Sequence, residues 1–400
     1  MKTRALNATL RFGTARTFTM AATAAAARGG SRMQRWFPGT AHPLIVSAPM
    51  AYVSNPKLAT EVTRAKGFGF IQGGRLFKPG SSTPAELEEQ LTLAKKLLLQ
   101  AQPGPHGDGK DAAAEAAEAA SGVLPIGVGF VVMSDCAAKH FGTTTAPVLA
   151  RHRPAAVWLF APDPKYADTL PRVIGALRSA DAGWTPRIII QAGTVAAARQ
   201  AAELGADIIV AQGGDAGGHQ FVAAAGIVSL VPEICDMVRD EFPDRDIAVW
   251  AAGGIADGRG VVAALALGAE GVVLGTRYVV APETDAEEYK RKALLAASDG
   301  AANTAKSQIH DHVQGNRTWP SVYDGRALLH QSYHDDKAGM AIEENEARYK
   351  AAKARGDFSN VVTWSSTAVG LVRTAPPAAE ITRNLRDEAL RVMGNLKATL

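Results

Sequence analysis

Eight short apolar runs between residues 44 and 279, separated by segments with helical punctuation, constrain this chain more than any other feature. They read LIVSAPM (44–50), GFGFIQGG (67–74), PIGVGFVV (125–132), AAVWLF (155–160), RIIIQA (187–192), ADIIVAQGG (206–214), DIAVWAAGG (246–254) and GVVLGTRYV (271–279). Each run is continuously apolar instead of alternating, as strands buried on both faces of a helix-covered parallel sheet are. Trp158, Trp250 and Tyr278 fall on these stretches and are expected in the core or barrel wall.

The intervening segments start and stop as helices do. TPAELEEQLTLAKKLLLQ opens with Thr83 as N-cap, Pro84 at the first helical position and Glu86 three residues after the cap. Thr194 caps TVAAARQAAELG, with Gly205 as its stop, and Gly268 ends ADGRGVVAALALG. Eight strand–helix units give an α/β fold, a (β/α)8 TIM barrel over residues 43–280. A doubly wound open sheet is the alternative, disfavoured because no long break marks a reversal of strand order. Residues 103–122 read as a surface loop leading into a short solvated helix. Residues 281–400 are expected to add a helical lid over the mouth, with 376–399 as a closing C-terminal helix.

Composition narrows the partners. Two cysteines, Cys136 and Cys235, without CxxC spacing argue for a reducing compartment and against a disulfide scaffold. No apolar run reaches membrane-spanning length. The chain carries 43 Lys and Arg against 39 Asp and Glu, but residues 1–42 hold seven basic residues and no acid. Without them about 36 basic residues face 39 acidic ones, so no nucleic-acid partner is expected. The basic segment fits either an organellar transit peptide or an over-extended start with Met20 or Met33 as first residue, hence a mitochondrial or cytoplasmic location.

The strand ends carry the candidate chemistry. In such barrels the site lies at the carboxyl ends of the strands, and phosphates bind after the last two. There the chain reads AAGGIADG and LGTRYV: Gly253 and Gly254 admit a phosphate to backbone N–H groups, and Gly275 and Thr276 add donors and a hydroxyl. The helix beginning near Asp257 is expected to aim its N-terminus at the same spot. Ordinary tight βα turns would need the same glycines; without a P-loop or a GxGxxG opening a helix, a phosphate bound there would belong to flavin mononucleotide or a sugar phosphate. At the sixth strand end, AQGGDAGGHQ places Gln212, Gly217, Gly218 and then His219, an imidazole suited to removing a carbon-bound proton near pH 7. IHDHV (His310, His312) and YHDD (His334, Asp335, Asp336) are read as solvated or substrate-facing, not as metal ligands, and Lys290 and Lys292 as exposed.

SAPMAYVSNPKLATEV, GFGFIQGG, AQGGDAGGH, WAAGGIADGRGVVAALALGAEGVVLGTRYV and EEYKRKALLAA, in this order over residues 44–297, resemble the nitronate monooxygenases, formerly 2-nitropropane dioxygenases. VQGNRTWPSVYDGRALLH is similar to their longer, fungal-type members. The resemblance implies an FMN-dependent oxidoreductase. It would convert propionate 3-nitronate, other alkyl nitronates or nitroalkanes with O2 to a carbonyl compound and nitrite. Carried over by position, Pro49, Met50, Ala51, Gln191 and Gln212 meet the flavin and Gly217 and Gly218 lie along it. Gly253 and Gly254 take its phosphate, Gly275 and Thr276 complete that cradle, Val273 and Leu274 also bind the cofactor, and His219 is the catalytic base. Two positions depart from the family pattern: Gly129 stands where Asn is frequent, and Asp215 where Glu is common. Two other readings share the scaffold, an NAD(P)H-dependent quinone or enoyl-thioester reductase and a non-catalytic binder of phosphate ligands. An IMP dehydrogenase-like activity would need a nucleophilic loop cysteine, which neither Cys136 nor Cys235 supplies.

Overall fold

The computed structural model describes residues 31–100, 122–181 and 183–399. The loop and short helix expected over 103–122 fall, but for Gly122, outside the described residues, as does most of the basic segment. Eight parallel strands form one sheet: β1 (Ile45–Ser47), β2 (Phe70–Gly74), β3 (Leu124–Val131), β4 (Pro154–Phe160), β5 (Arg187–Ala192), β6 (Ile208–Gln212), β8 (Ala248–Ala252) and β9 (Gly271–Leu274). Their spatial order is β1-β9-β8-β6-β5-β4-β3-β2. A parallel bridge between Val46 and Phe68 joins the first strand to the second and completes the ring.

The continuous apolar runs follow from this geometry. Successive side chains point to opposite faces of a strand, and here both faces are covered. Ile188, Ile190, Ile209, Val249 and Val272 face the helices, whereas Ile189, Val210, Trp158, Trp250 and Val273 fill the barrel interior. On β3 the inward positions are Gly127 and Gly129, because a Cβ there would lie 2.1 Å from the Phe70 ring and 2.3 Å from Pro49.

One end is plugged. The helix Arg32–Trp36, started by a Ser31–Gln34 capping box, buries Met33. Phe37 packs on Phe68 with ring centroids 4.2 Å apart, and Trp250 Nε1–H points at Met33 Sδ, 3.2 Å away. The opposite end, at the carboxyl termini of the strands, therefore holds the site.

Several local expectations change. The third helix is Ser82–Leu99 with Ser81 at the cap, so Thr83 lies inside it, buried. Thr194 does cap its helix, accepting from Ala197 N–H, and Gly205 and Gly268 take the left-handed conformation at φ +92° and +105°. TRYV is a helical turn, Thr276–Val279, not strand, because the ladder ends with Leu274 and Gly275 redirects the chain. Tyr278 is nonetheless core, its hydroxyl 2.7 Å from Thr382 Oγ1 on the C-terminal helix Ala378–Thr399. The segment after the barrel is not purely helical. Strands β10 (Thr304–Ser307) and β11 (Tyr323–Leu328) join β7 (Gly218–Phe221) in a three-stranded antiparallel sheet, order β10-β11-β7. Lys290 is half-buried and ion-paired with Glu287 at 2.7 Å, while Lys292 is exposed.

Candidate active site

The barrel register sets the first layer of the site. Gln191, next to last on β5, and Gln212, last on β6, lie on the inward face, two residues beyond Ile189 and Val210, and both are buried. Trp158 Nε1–H donates to Gln191 Oε1 (3.1 Å), Gln191 Nε2 to Gln212 Oε1 (2.6 Å), and Gln212 Nε2 to the His219 carbonyl (3.2 Å). The chain fixes both amide orientations, and each NH2 keeps one hydrogen for a ligand.

The glycine turns lie on neighbouring strands, since Ala252 of β8 pairs with Val273 of β9. Gly253 and Gly254 have φ of +110° and +71°, a left-handed backbone that favours glycine. A Cβ on Gly253 would lie 2.9 Å from the Gly213 carbonyl oxygen. Among the described residues, the N–H groups of Gly253, Gly254, Gly275, Thr276 and Arg277 donate to no protein acceptor. Five unpaired amides on two adjacent turns suit a phosphate monoester. Val273 and Leu274 have buried side chains. The Thr276 hydroxyl oxygen accepts from Ser366 N–H at 3.0 Å and keeps its own hydrogen.

The helix Gly258–Ala266 does not contribute as expected. Its first N–H groups are taken by carboxylates: Arg259 and Gly260 donate to Asp257 Oδ1, and Gly258 to Glu388 Oε2. The two loops alone therefore supply the free donors.

On the β1 side, Ser54 holds the turn that carries Pro49, Met50 and Ala51, accepting from Met50 N–H and donating to the Ala48 carbonyl. Pro49 occupies the space in front of Gly129, so an Asn there would collide with it. Met50 Sδ would be 3.6 Å from a Cβ on Gly275, and Ala51 is exposed. Gly217 makes its close approach to protein backbone, not to open space: a Cβ there would lie 2.5 Å from Ser365 C. Gly218, at φ +73°, has no heavy atom within 4 Å of where its Cβ would be. Asp215 braces this loop, accepting from Thr367 Oγ1 at 3.3 Å, while Arg326 donates to the Gly214 carbonyl from two nitrogens.

His219 sits on β7 against the added sheet, opposite Gly325. Its Nε2 lies 3.0 and 2.9 Å from the two carboxylate oxygens of Asp311. Its ring stacks on Trp319 (centroids 3.7 Å apart, planes 13°), with Trp364 tilted at 4.7 Å. The IHDHV segment is thus not solvated: His310 and Asp311 are buried. His310 Nε2–H donates to the Ala305 carbonyl, which leaves Nδ1 to accept from His330 Nε2–H at 2.9 Å. Burial lowers the proton affinity of both rings, and pushes His330 down to about 3. His334 remains at the surface. A cavity of about 550 Å³ lies beside this wall, bordered by Pro162, Leu170, Ile190, Phe221 and Tyr323. Asp311, Trp319, Trp364, Arg326 and Ser366 are functional candidates that the sequence reading misses, because each reaches the rim only through pairings more than 50 residues apart.

A closed parallel barrel with free amides after its last two strands and a histidine at the same rim has the architecture of a (β/α)8-barrel enzyme. The sequence comparisons are specific. The family model for nitronate monooxygenase matches residues 170–388. A nitronate monooxygenase of Neurospora crassa is 45% identical over 382 residues, covering 92% of this chain and 94% of that protein. Another, of Metarhizium robertsii, is 34% identical over 91% of this chain and 95% of its own length. The chain belongs to the nitronate monooxygenase family and is an oxidoreductase. The fold also matches FabK from Thermotoga maritima (TM-score 0.66, 22% identity, 93% of this chain and 99% of that one). A nitroalkane oxidase from Streptomyces ansochromogenes matches with TM-score 0.64 and 23% identity over 92% of this chain and 100% of that one. Among the described residues no helix is long and apolar enough to cross a membrane.

Proposed function

We propose that this protein is an FMN-dependent nitronate monooxygenase. It would convert alkyl nitronates, propionate 3-nitronate among them, and neutral nitroalkanes with O2 to a carbonyl compound and nitrite. The observation that carries the reading is the cluster of five unpaired amides at Gly253, Gly254, Gly275, Thr276 and Arg277, on the same rim as His219. The 45% identity to the Neurospora crassa enzyme supports it. FMN, when bound, supplies electron acceptance from the nitronate and the reaction with O2. The five amides and the Thr276 hydroxyl would hold its phosphate, and Gln191 and Gln212 would each offer the remaining amide hydrogen.

The protein's own contribution is position and a proton acceptor. His219 Nδ1 has no protein partner among the described residues, and the side chain is 18% exposed. For a nitroalkane it accepts the α-proton: the C–H bond breaks, its electron pair remains on the substrate as the nitronate, and an N–H bond forms. For a substrate supplied as nitronate no base is needed, and a protonated His219 would hold the anion.

The visible spectrum of the purified protein and nitrite release from propionate 3-nitronate in air test the reading together. A flavin spectrum with nitrite formation is expected. A colourless protein with no affinity for added FMN would overturn it, and rapid bleaching of the flavin by NADPH would move the assignment to a nicotinamide-dependent reductase.

A further inference from the structure

We propose that Asp311 is a positioning residue for His219, holding its imidazole as the Nε2–H tautomer so that Nδ1 faces the substrate. The proposal deepens the reading of His219 as the base and rests on it. Both Asp311 oxygens lie within 3.0 Å of Nε2. An ionised carboxylate only accepts, so the ring must place a hydrogen on Nε2, and a neutral ring then has its lone pair on Nδ1. The carboxylate is itself fixed. Its side chain is only 6% exposed, Asn316 Nδ2 reaches Oδ1 at 3.4 Å, and its backbone belongs to the helical turn Ile309–His312.

The surroundings leave the ring little choice. Stacking on Trp319 restrains its plane, and a half-turn about Cβ–Cγ would move Nε2 off the carboxylate and put Cε1 in its place. The charged or titratable groups near the ring are Asp311, His310, Asp324 and Arg326; the last is half-buried and donates to the Gly214 carbonyl. Asp311 is the one bonded to it. When Nδ1 takes the α-proton, the imidazolium formed faces this carboxylate, which balances its charge and keeps the second proton on Nε2. The arrangement is a histidine–carboxylate pair of the type in which the acid orients the ring and steadies its cation without taking the proton. It joins residues 219 and 311 across the strand of the added sheet, so that sheet is part of the catalytic apparatus and not only a cover.

The test uses full-length, FMN-loaded protein labelled with 15N-histidine. Imidazole nitrogen NMR, with His219→Asn identifying the resonances, is expected to show a protonated Nε2 and a bare Nδ1. In Asp311→Ala the resonances should move to a mixture of tautomers. Turnover number on nitroethane should fall about 10²-fold or more, with KM changed less than about threefold. Flavin content should stay within about threefold of the unmodified protein, and turnover of propionate 3-nitronate should fall far less than that of nitroethane. Asp311→Asn, of the same shape, serves if the alanine variant does not fold; its neutral amide should produce the same fall on nitroethane. A protonated Nδ1 in the unmodified protein, or nitroethane turnover and tautomer unchanged in Asp311→Ala, overturns the proposal. Equal losses on both substrates, or loss of FMN, overturn it in favour of a structural role. Full nitroethane turnover by His219→Asn removes the base reading itself, whereas the tautomer measurement still decides whether Asp311 orients the ring.

Discussion

At the scale of single residues, His219 joins chemistry and packing. Its carbonyl anchors the Gln212 amide, its Nε2 meets Asp311, and its face lies on Trp319. Only Nδ1 is left for substrate, so a change there should affect proton removal selectively. His219→Asn is expected to lower nitroethane turnover by about 10²–10⁴-fold, the usual worth of a positioned base, and propionate 3-nitronate turnover far less. Steady-state nitrite release on the two substrates measures the ratio, and equal losses would assign the ring to binding. Gly253 makes a second residue-scale case. Alanine there would need φ near +110° and a Cβ 2.9 Å from the Gly213 oxygen, a strain of about 1–2 kcal/mol. Because the turn carries the free amides, Gly253→Ala should weaken FMN binding about tenfold, read from quenching of flavin fluorescence on titration. Unchanged affinity would take Gly253 out of the cradle. Gly129 shows the converse, a departure from the family pattern explained by packing, since Pro49 fills the space an Asn would need.

Among elements, the small sheet was the least legible. Its strands have four, four and six residues, too short for an alternation to stand out. Their partners are about 20 to 100 residues apart, as in Gly325 opposite His219. The barrel strands were legible because burial on both faces leaves an unbroken apolar run, whatever the partner. The turn Ile309–His312 is stabilised by the buried His310–His330 pair, and this carries a pH dependence. An unfolded histidine titrates near 6.5, whereas His330 in the fold is held down to about 3 by burial and by His310. Below pH 6.5 the unfolded chain thus binds more protons, and stability is lost as pH falls from about 6.5 toward 3. Between pH 7 and pH 5 this group should remove about 2 kcal/mol, seen in urea unfolding at the two values. His330→Asn should flatten that part of the slope, and an unchanged slope would show that the ring is not buried in its neutral form.

For the molecule as a whole, the proposed cofactor would link stability to the rim. The C-terminal helix closes the outer layer against Gly258, where a Cβ would lie 2.5 Å from Ala389 N. Gly258→Val should therefore push this helix away and cost about 1–3 kcal/mol, visible as a lower thermal midpoint. The first amides of the Gly258–Ala266 helix already serve Asp257 and Glu388 rather than the cradle, so FMN affinity should change little. A tenfold loss of affinity would mean that the helix shapes the phosphate site after all. FMN held in the proposed cradle by the folded chain alone would add about 2.7 kcal/mol at a hundred times its dissociation constant. No rise in the thermal midpoint on adding FMN would contradict the cradle.

The amino-acid order alone determined the barrel, its plugged and open ends apart, and the glycine turns with His219 after strand ends. Those features are local: apolar runs, helix caps and glycine positions register in a few neighbouring residues. What Nε2 meets, which amides stay free, and which rings flank His219 were decided only by tertiary structure. They depend on chain segments about 50 to 150 residues away, brought to the rim by the β7–β11 pairing and by the 362–367 segment. A carboxylate in IHDHV looks the same in sequence whether it faces water or a histidine; burial at the turn that Asn316 braces, against His219, is what gives Asp311 its partner.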